Sequence, residues 1–394
     1  MRKERILEIE RLRGMAFLAV VLQHSIAHYS VAEGMTERDG ILMAVLLIAS
    51  KFAVPAFIFI TGMVLFYNDS GQLQYGQFVK KRIIYIYIPF VVWTVIHMAV
   101  DGTLYLRDLE GWSTLGEMLV TGKASSHLWY MIMLFQFYLL YPIYRFIIRG
   151  ISSRFTHRIN IVLLAVTGML FIVMTAYISD IGSYVGRFNI PVISELFTTY
   201  ADRNALNFFF YFILGATAGM NPEMWSKWIH KARFMYWTVF AFMFGFLLMQ
   251  GIHEIRLAEG ELITFYSLSL LRPEMALFLI SSILSMYDLA SWICKRAGRK
   301  VNAVLSSVGM YSFGAYLMHL LTLRISYIFD ESFMISMPSA VRIFSSWVIS
   351  AVLAYLGARL FALIPSGKWL AGVPVTKRRK HAGVERKLDT SAKM

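Results

Sequence analysis

The chain has 394 residues, of which 58% are hydrophobic and only 16% charged, and its mean hydropathy is +0.58. Soluble domains carry about 25% charged residues, so a water-soluble globular fold is excluded and the sequence reads as an all-α, polytopic transmembrane bundle. The net charge of +14 does not indicate nucleic-acid binding, because no basic stripe interleaves with exposed aromatics.

In chain order, ten apolar stretches approach the about 20 residues that a helix needs to cross a bilayer. They run over 12–31, 41–67, 83–100, 129–148, 159–179, 205–220, 233–250, 266–287, 303–324 and 339–364. Their connections alternate in charge. Arg2 to Arg13, Lys80 to Arg82, Arg145 to Arg158, Lys227 to Arg233, Lys295 to Lys300 and the stretch from Lys368 onward hold 27 of the 38 Lys and Arg. The intervening connections carry acids such as Glu33, Glu37 and Asp39, or Glu254, Glu259 and Glu261. Positive charge stays on the cytoplasmic side of a membrane, so the pattern predicts both termini there and an affinity for anionic membrane lipids.

The first span opens like a signal peptide, with basic residues, an apolar run and the small residues Ser30 and Ala32. Gln23, His24 and His28 interrupt that run, and an uncleaved anchor is the more economical reading. Arg13 and His24 bracket uncharged, mostly apolar sequence. Eleven helical positions return to within about 20° of the start, so the two share a face, roughly 16 Å apart along the axis. A cation and an imidazole at membrane depth are functional candidates, since insertion alone would favour leucine.

Lys80-Lys81-Arg82 opens the third span and leads through Tyr85 and Tyr87 to Pro89 and Trp93, with His97 near its outer end. The triplet is either a topology anchor that snorkels to lipid phosphate or a docking point for an anionic cytoplasmic ligand, for which arginine offers a bidentate fork. His127-Leu128-Trp129-Tyr130 introduces the fourth span. Its aromatics fit an interfacial belt or, with His127, a surface on which sugar rings stack. Long outer connections at 101–128 and 180–204 leave room for an amphipathic turn or two.

Cys294, near the cytoplasmic end of the eighth span, is the single cysteine, which excludes an intrachain disulfide and a thiolate cluster. The ninth span, Leu305 to His319, is rich in Ser and Gly, which let helices approach closely. His319 and His97 either share a cavity with His24 or are buried and hydrogen-bonded to neighbouring helices. His24 and His28 have the four-residue spacing of zinc enzymes but lack the intervening Glu, so no metal is expected. Gly-x-Ser-x-Gly and the Walker phosphate loop do not occur. The chemistry left is histidine as general base with arginine holding charge. From Pro365 the chain turns polar, with Lys377-Arg378-Arg379-Lys380; 1–364 is expected to be the membrane domain and 365–394 a disordered cytoplasmic tail.

These motifs together resemble the acyltransferase-3 family of bacterial integral-membrane acyltransferases, whose hallmark is a basic residue, ten residues and then His in the first helix, as at Arg13 and His24. Phe57-Ile58-Phe59-Ile60-Thr61-Gly62, Lys81-Arg82 through Trp93, His127 to Tyr130, Phe212-Ile213-Leu214-Gly215 and Gly309 to His319 follow in family order. Two departures stand out: Tyr85 occupies the place of a second family arginine, and no appended hydrolase-like domain is seen. The compact form is similar to the branch that modifies surface polysaccharides, including intercellular adhesins.

The resemblance implies an O-acyltransferase of the bacterial cytoplasmic membrane. Its co-substrate would be a cytoplasmic acyl-CoA, with acetyl or succinyl transferred to a hydroxyl of a surface or lipid-linked glycan. His24 would act as general base or acyl shuttle, and Arg13 would bind donor or stabilise the oxyanion. Lys81, Arg82, His127, Trp129, Tyr130 and His319 would contact substrates. A glycan or lipid-linked-sugar transporter is the rival class, against which stands the lack of an Asp or Glu at mid-span; a sensor without catalysis is a third.

Overall fold

The computed structural model describes residues 5–371, except 33, 70, 258–262, 264 and 366. Among these residues the chain is helical and contains no strand. In order, the helices are α1 (Leu7–Tyr29), α2 (Glu37–Ser50), α3 (Ala53–Tyr67), α4 (Tyr75–Arg82), α5 (Ile88–Val100), α6 (Leu109–Thr121), α7 (Trp129–Arg154) and α8 (His157–Ala176). There follow α9 (Ile178–Gly186), α10 (Ile193–Phe197), α11 (Phe209–Met220), α12 (Pro222–Leu257), α13 (Pro273–Arg296), α14 (Arg299–Phe333), α15 (Ser339–Phe361) and α16 (Lys368–Ala371).

Among the described residues, eight helical segments are long and apolar enough to cross a bilayer, with Glu37–Tyr67 and Tyr75–Val100 each taken as one; Ala205–Met220 is apolar but shorter. α1, which carries Arg11, Arg13, Gln23, His24 and His28, is not among the eight. Apolarity located the elements better than their ends. The seventh and ninth stretches, expected over 233–250 and 303–324, extend to Pro222–Leu257 and Arg299–Phe333, because helices continue with polar faces beyond an apolar window. The eighth starts at Pro273 rather than 266; a ring with fixed φ and no N–H is suited to the first helical position. The outer connections hold α6, α9 and α10. Residues 372–394, the body of the expected tail, lie outside the described residues, whereas Leu370 is held by Trp93, whose Nε1 donates to its carbonyl at 2.7 Å.

Two prolines shape the spans that matter. Pro55 has no N–H to give the Lys51 carbonyl, and its ring crowds that carbonyl; the second stretch accordingly divides into α2 and α3 at Lys51 and Phe52. The Ser50 carbonyl, left at the end of α2, accepts from Gln23 Nε2 of α1 at 2.6 Å. Pro89 likewise cannot bond the Tyr85 carbonyl, and the turn before it, Ile83–Tyr87, widens to a π-helix between α4 and α5.

α1 lies at the centre, packed against α2, α3, α13, α14 and α15. Its approach to α14 depends on paired glycines. A Cβ at Gly14 would lie 2.7 Å from the Leu305 carbonyl oxygen, and one at Gly309 would overlap the backbone of Glu10. This is the close approach that small residues permit in membranes, and it places His24 against His319 of α14.

Buried carboxylates are paired with arginines. Asp69 binds Arg145 at 2.7 Å and Arg149 at 2.8 Å, Asp288 binds Arg233 at 2.6 Å and Trp237 at 3.1 Å, and Asp330 binds Arg342 at 2.6 Å. Asp288 lies two turns inside α13 and Asp330 within α14.

Candidate active site

Four imidazoles from four parts of the chain meet beside α1. His24 comes from α1, His97 from α5, His127 from the segment before α7, and His319 from α14. Ring centroids are 5.1 Å apart for His24 and His319, 4.6 Å for His127 and His319, 5.2 Å for His97 and His127, and 6.3 Å for His24 and His127. Tyr316 closes the group, 5.2 Å from His127 and 5.5 Å from His319, and its hydroxyl donates to the His127 carbonyl. His97, His127 and His319 are buried, while His24 is half-buried and lines a cavity of about 410 Å³ with Gln23, Lys51, His127, Trp129 and Tyr316.

Hydrogen bonding fixes the tautomers of three rings. A carbonyl oxygen can only accept, and the Leu317 carbonyl takes bonds from His97 Nε2 at 3.1 Å and His127 Nε2 at 3.3 Å. His319 Nδ1 donates to the Tyr316 carbonyl at 2.5 Å. In the neutral rings the lone pairs therefore sit on His97 Nδ1, His127 Nδ1 and His319 Nε2, all buried without a hydrogen-bond partner. These are acceptors for a proton or an O–H group. Among the described residues no three His, Cys, Asp or Glu side chains are arranged to hold a metal. His28 stacks on Tyr327 at 3.6 Å, in a separate aromatic contact.

Arg13 and Arg11 show how different two neighbouring arginines can be. Arg11 is buried and donates from Nε to Asn302 Oδ1 at 3.2 Å and from Nη1 to the Leu7 carbonyl at 3.2 Å. Arg13 is half-buried and makes no hydrogen bond or ion pair among the described residues; it lies within electrostatic reach of Tyr138 and Tyr130 on α7 and of Glu10. Arg82 stands over the rings of Phe78 and Tyr138, 4.8 Å from each centroid, with Nε buried and unpaired. Lys81 is exposed. A sequence of polar and aromatic neighbours thus runs from Arg82 through Tyr138, Arg13, Tyr130 and Tyr316 to the imidazoles, with Tyr130 and Tyr316 rings 5.8 Å apart.

The structure brings His24, His127, Trp129 and His319 together, with Arg13 one layer toward the basic end. Tyr130 is buried against Phe57 and Tyr316, whereas Trp129 lines the cavity. His97, like His319 a sequence candidate for the neighbourhood of His24, joins the group. Lys51 is a cavity residue that sequence reasoning missed, although a lysine in the middle of an apolar run is a visible signal.

Residues 6–364 match a family model described as an acyltransferase domain. The chain is 24% identical over 332 residues, 82% of each sequence, to a Bacillus subtilis (strain 168) protein named "Putative membrane-bound acyltransferase YfiQ". No solved structure matches it.

Proposed function

The chain belongs to this acyltransferase family, the acyltransferase-3 enzymes, and from that premise we propose an O-acyltransferase that moves acetyl or succinyl from a cytoplasmic acyl-CoA to a hydroxyl of a surface or lipid-linked glycan. The chain is a multi-pass membrane acyltransferase; a bacterial cytoplasmic membrane is the setting we infer. The observation that carries the reading is the placement of His24. It is the one imidazole of the four that is half-open, it borders a cavity large enough for a sugar ring, and Arg13, without a hydrogen bond or ion pair among the described residues, lies on the same helix toward the basic end.

In this reading the acceptor hydroxyl enters the cavity and gives its proton to His24 as its oxygen attacks the thioester carbonyl. The C–O ester bond forms, the C–S bond breaks, and the proton passes from the imidazole to the departing thiolate of CoA. An acyl-histidine would divide the same exchange into two steps. Arg13, roughly 16 Å along the axis from His24, is placed to hold donor oxygens rather than the carbonyl oxygen under attack. Arg82 and Lys81 lie at the end where donor phosphates would arrive, and Arg82 keeps an unused donor there.

A carrier that loads protons on a carboxylate would need a free one, whereas Asp69, Asp288 and Asp330 are each held by arginine. His24→Ala, inserted and expressed normally, is expected to lower ester formation by about 10²–10⁴-fold, the range of general acid–base catalysis. The check is acyl transfer by purified protein, with mass increments on the glycan as readout, and undiminished ester formation would defeat the assignment.

A further inference from the structure

Resting on the acyl-transfer reading above, we propose that Lys51 is an anion-recognition residue, pairing with a carboxylate or phosphate that one of the reactants carries into the cavity beside His24. The side chain lies at the break between α2 and α3 and lines the same cavity as His24, His127 and Trp129. One side of the break is tied to α1: Gln23, the residue before His24, holds the Ser50 carbonyl at 2.6 Å, while Pro55 leaves the Lys51 carbonyl without its helical donor. The break that carries Lys51 is thus anchored beside His24.

The charge has no internal purpose. Lys51 makes no side-chain hydrogen bond, ion pair or ring contact among the described residues, whereas Arg145, Arg233 and Arg342 each have an aspartate. An ammonium at membrane depth costs about 2.5–3.5 kcal/mol on insertion scales, and a neutral saccharide gives it nothing that an amide would not. In a low-dielectric cavity walled by Trp129, Phe265 and Tyr316, a fixed cation focuses its field on whatever enters. The ligand chemistry is thus an anion on a reactant. Two carriers fit: an acidic or phosphorylated sugar of the acceptor, or the distal carboxylate of a dicarboxylic acyl group such as succinyl. Each would anchor at Lys51 while the reacting atoms lie at His24.

The test uses the full chain in lipid nanodiscs. Calorimetric binding of an oligosaccharide containing glucuronic acid, of succinate and of a neutral N-acetylglucosamine oligomer is compared for wild type, Lys51→Met, Lys51→Gln and Lys51→Arg. Lys51→Met and Lys51→Gln are expected to weaken one of the two anionic probes by about tenfold, equivalent to about 1.4 kcal/mol, with the neutral probe changed less than about twofold and Lys51→Arg retaining most of the affinity. Turnover of acetyl-CoA and succinyl-CoA with the acidic and neutral oligomers then names the carrier. A loss confined to the acidic oligomer assigns the anion to the acceptor, and a loss confined to succinyl-CoA assigns it to the acyl group. Wild type binding anionic and neutral probes alike, or both neutral variants losing all four reactions by one factor, would overturn the proposal. Absence of ester formation by the wild type would sink the transferase reading alone, and ester formation surviving in His24→Ala only the role of His24, because the binding comparison does not depend on turnover.

Discussion

At the scale of single residues, the site consists of donors and acceptors with unequal commitments. His97 and His127 spend their N–H groups on one carbonyl, and His319 spends its own on Tyr316, so His319 Nε2 is left as an unpartnered acceptor in a ring whose centroid is 5.1 Å from that of His24. A bond from the His24 N–H to that nitrogen would orient the His24 ring. His319→Ala is expected to lower kcat by about 10–100-fold while the KM for acyl-CoA changes little, and His319→Gln, which restores an acceptor, is expected to recover part of the rate; steady-state kinetics decide it. Arg82→Ala should act oppositely, raising the acyl-CoA KM by about tenfold with little change for the acceptor. A donor KM that stays constant reduces Arg82 to a packing residue between Phe78 and Tyr138. The residue types Arg13, His24, His127 and His319 were legible because polar groups are conspicuous against apolar sequence. The burial of Tyr130 was not, because an aromatic before a span reads equally as belt or core.

At the scale of elements, glycine and proline place the chemistry. Gly215 meets Phe59 of α3, and a Cβ there would overlap the Phe59 carbonyl; α3 and α11 pack along this line, as α1 and α14 do at Gly14 and Gly309. Gly309→Leu is expected to destabilise by about 1–3 kcal/mol or more, as overpacking does, and to depress activity by moving α14 away from His24. A melting temperature in detergent within about one degree of wild type would show that the crossing tolerates the bulk. Gln23→Leu leaves the Ser50 carbonyl without its donor, a loss of about 1–3 kcal/mol for an unsatisfied buried group, which the same measurement reads. The Ser and Gly content of the ninth stretch announced close packing; it did not announce the partner, since any helix with small residues would serve.

At the scale of the molecule, the proposed mechanism requires Arg82 and the imidazole cavity to open toward opposite aqueous phases, as alternating charge would arrange. In a Cys294→Ser background, Glu110→Cys in α6 is expected to react with a membrane-impermeant maleimide in intact cells, and Ser153→Cys beside the α7–α8 connection only after lysis. Both positions are exposed, so accessibility reports side and not burial. Labelling of both from outside would contradict an assignment that sends acyl-CoA in from the cytoplasm.

Sequence alone determined the all-helical membrane class, the approximate places of the spans and the family, because a bilayer admits few solutions for backbone polar groups and rewards long apolar runs. It also marked Arg13 and His24 as one helix face, which follows from helical geometry. Only the tertiary structure decided which histidines meet, which arginine is occupied and which is open, and that Lys51 shares a cavity with His24. Those facts depend on contacts between residues up to about three hundred positions apart, such as Arg11 with Asn302, and no local pattern encodes them.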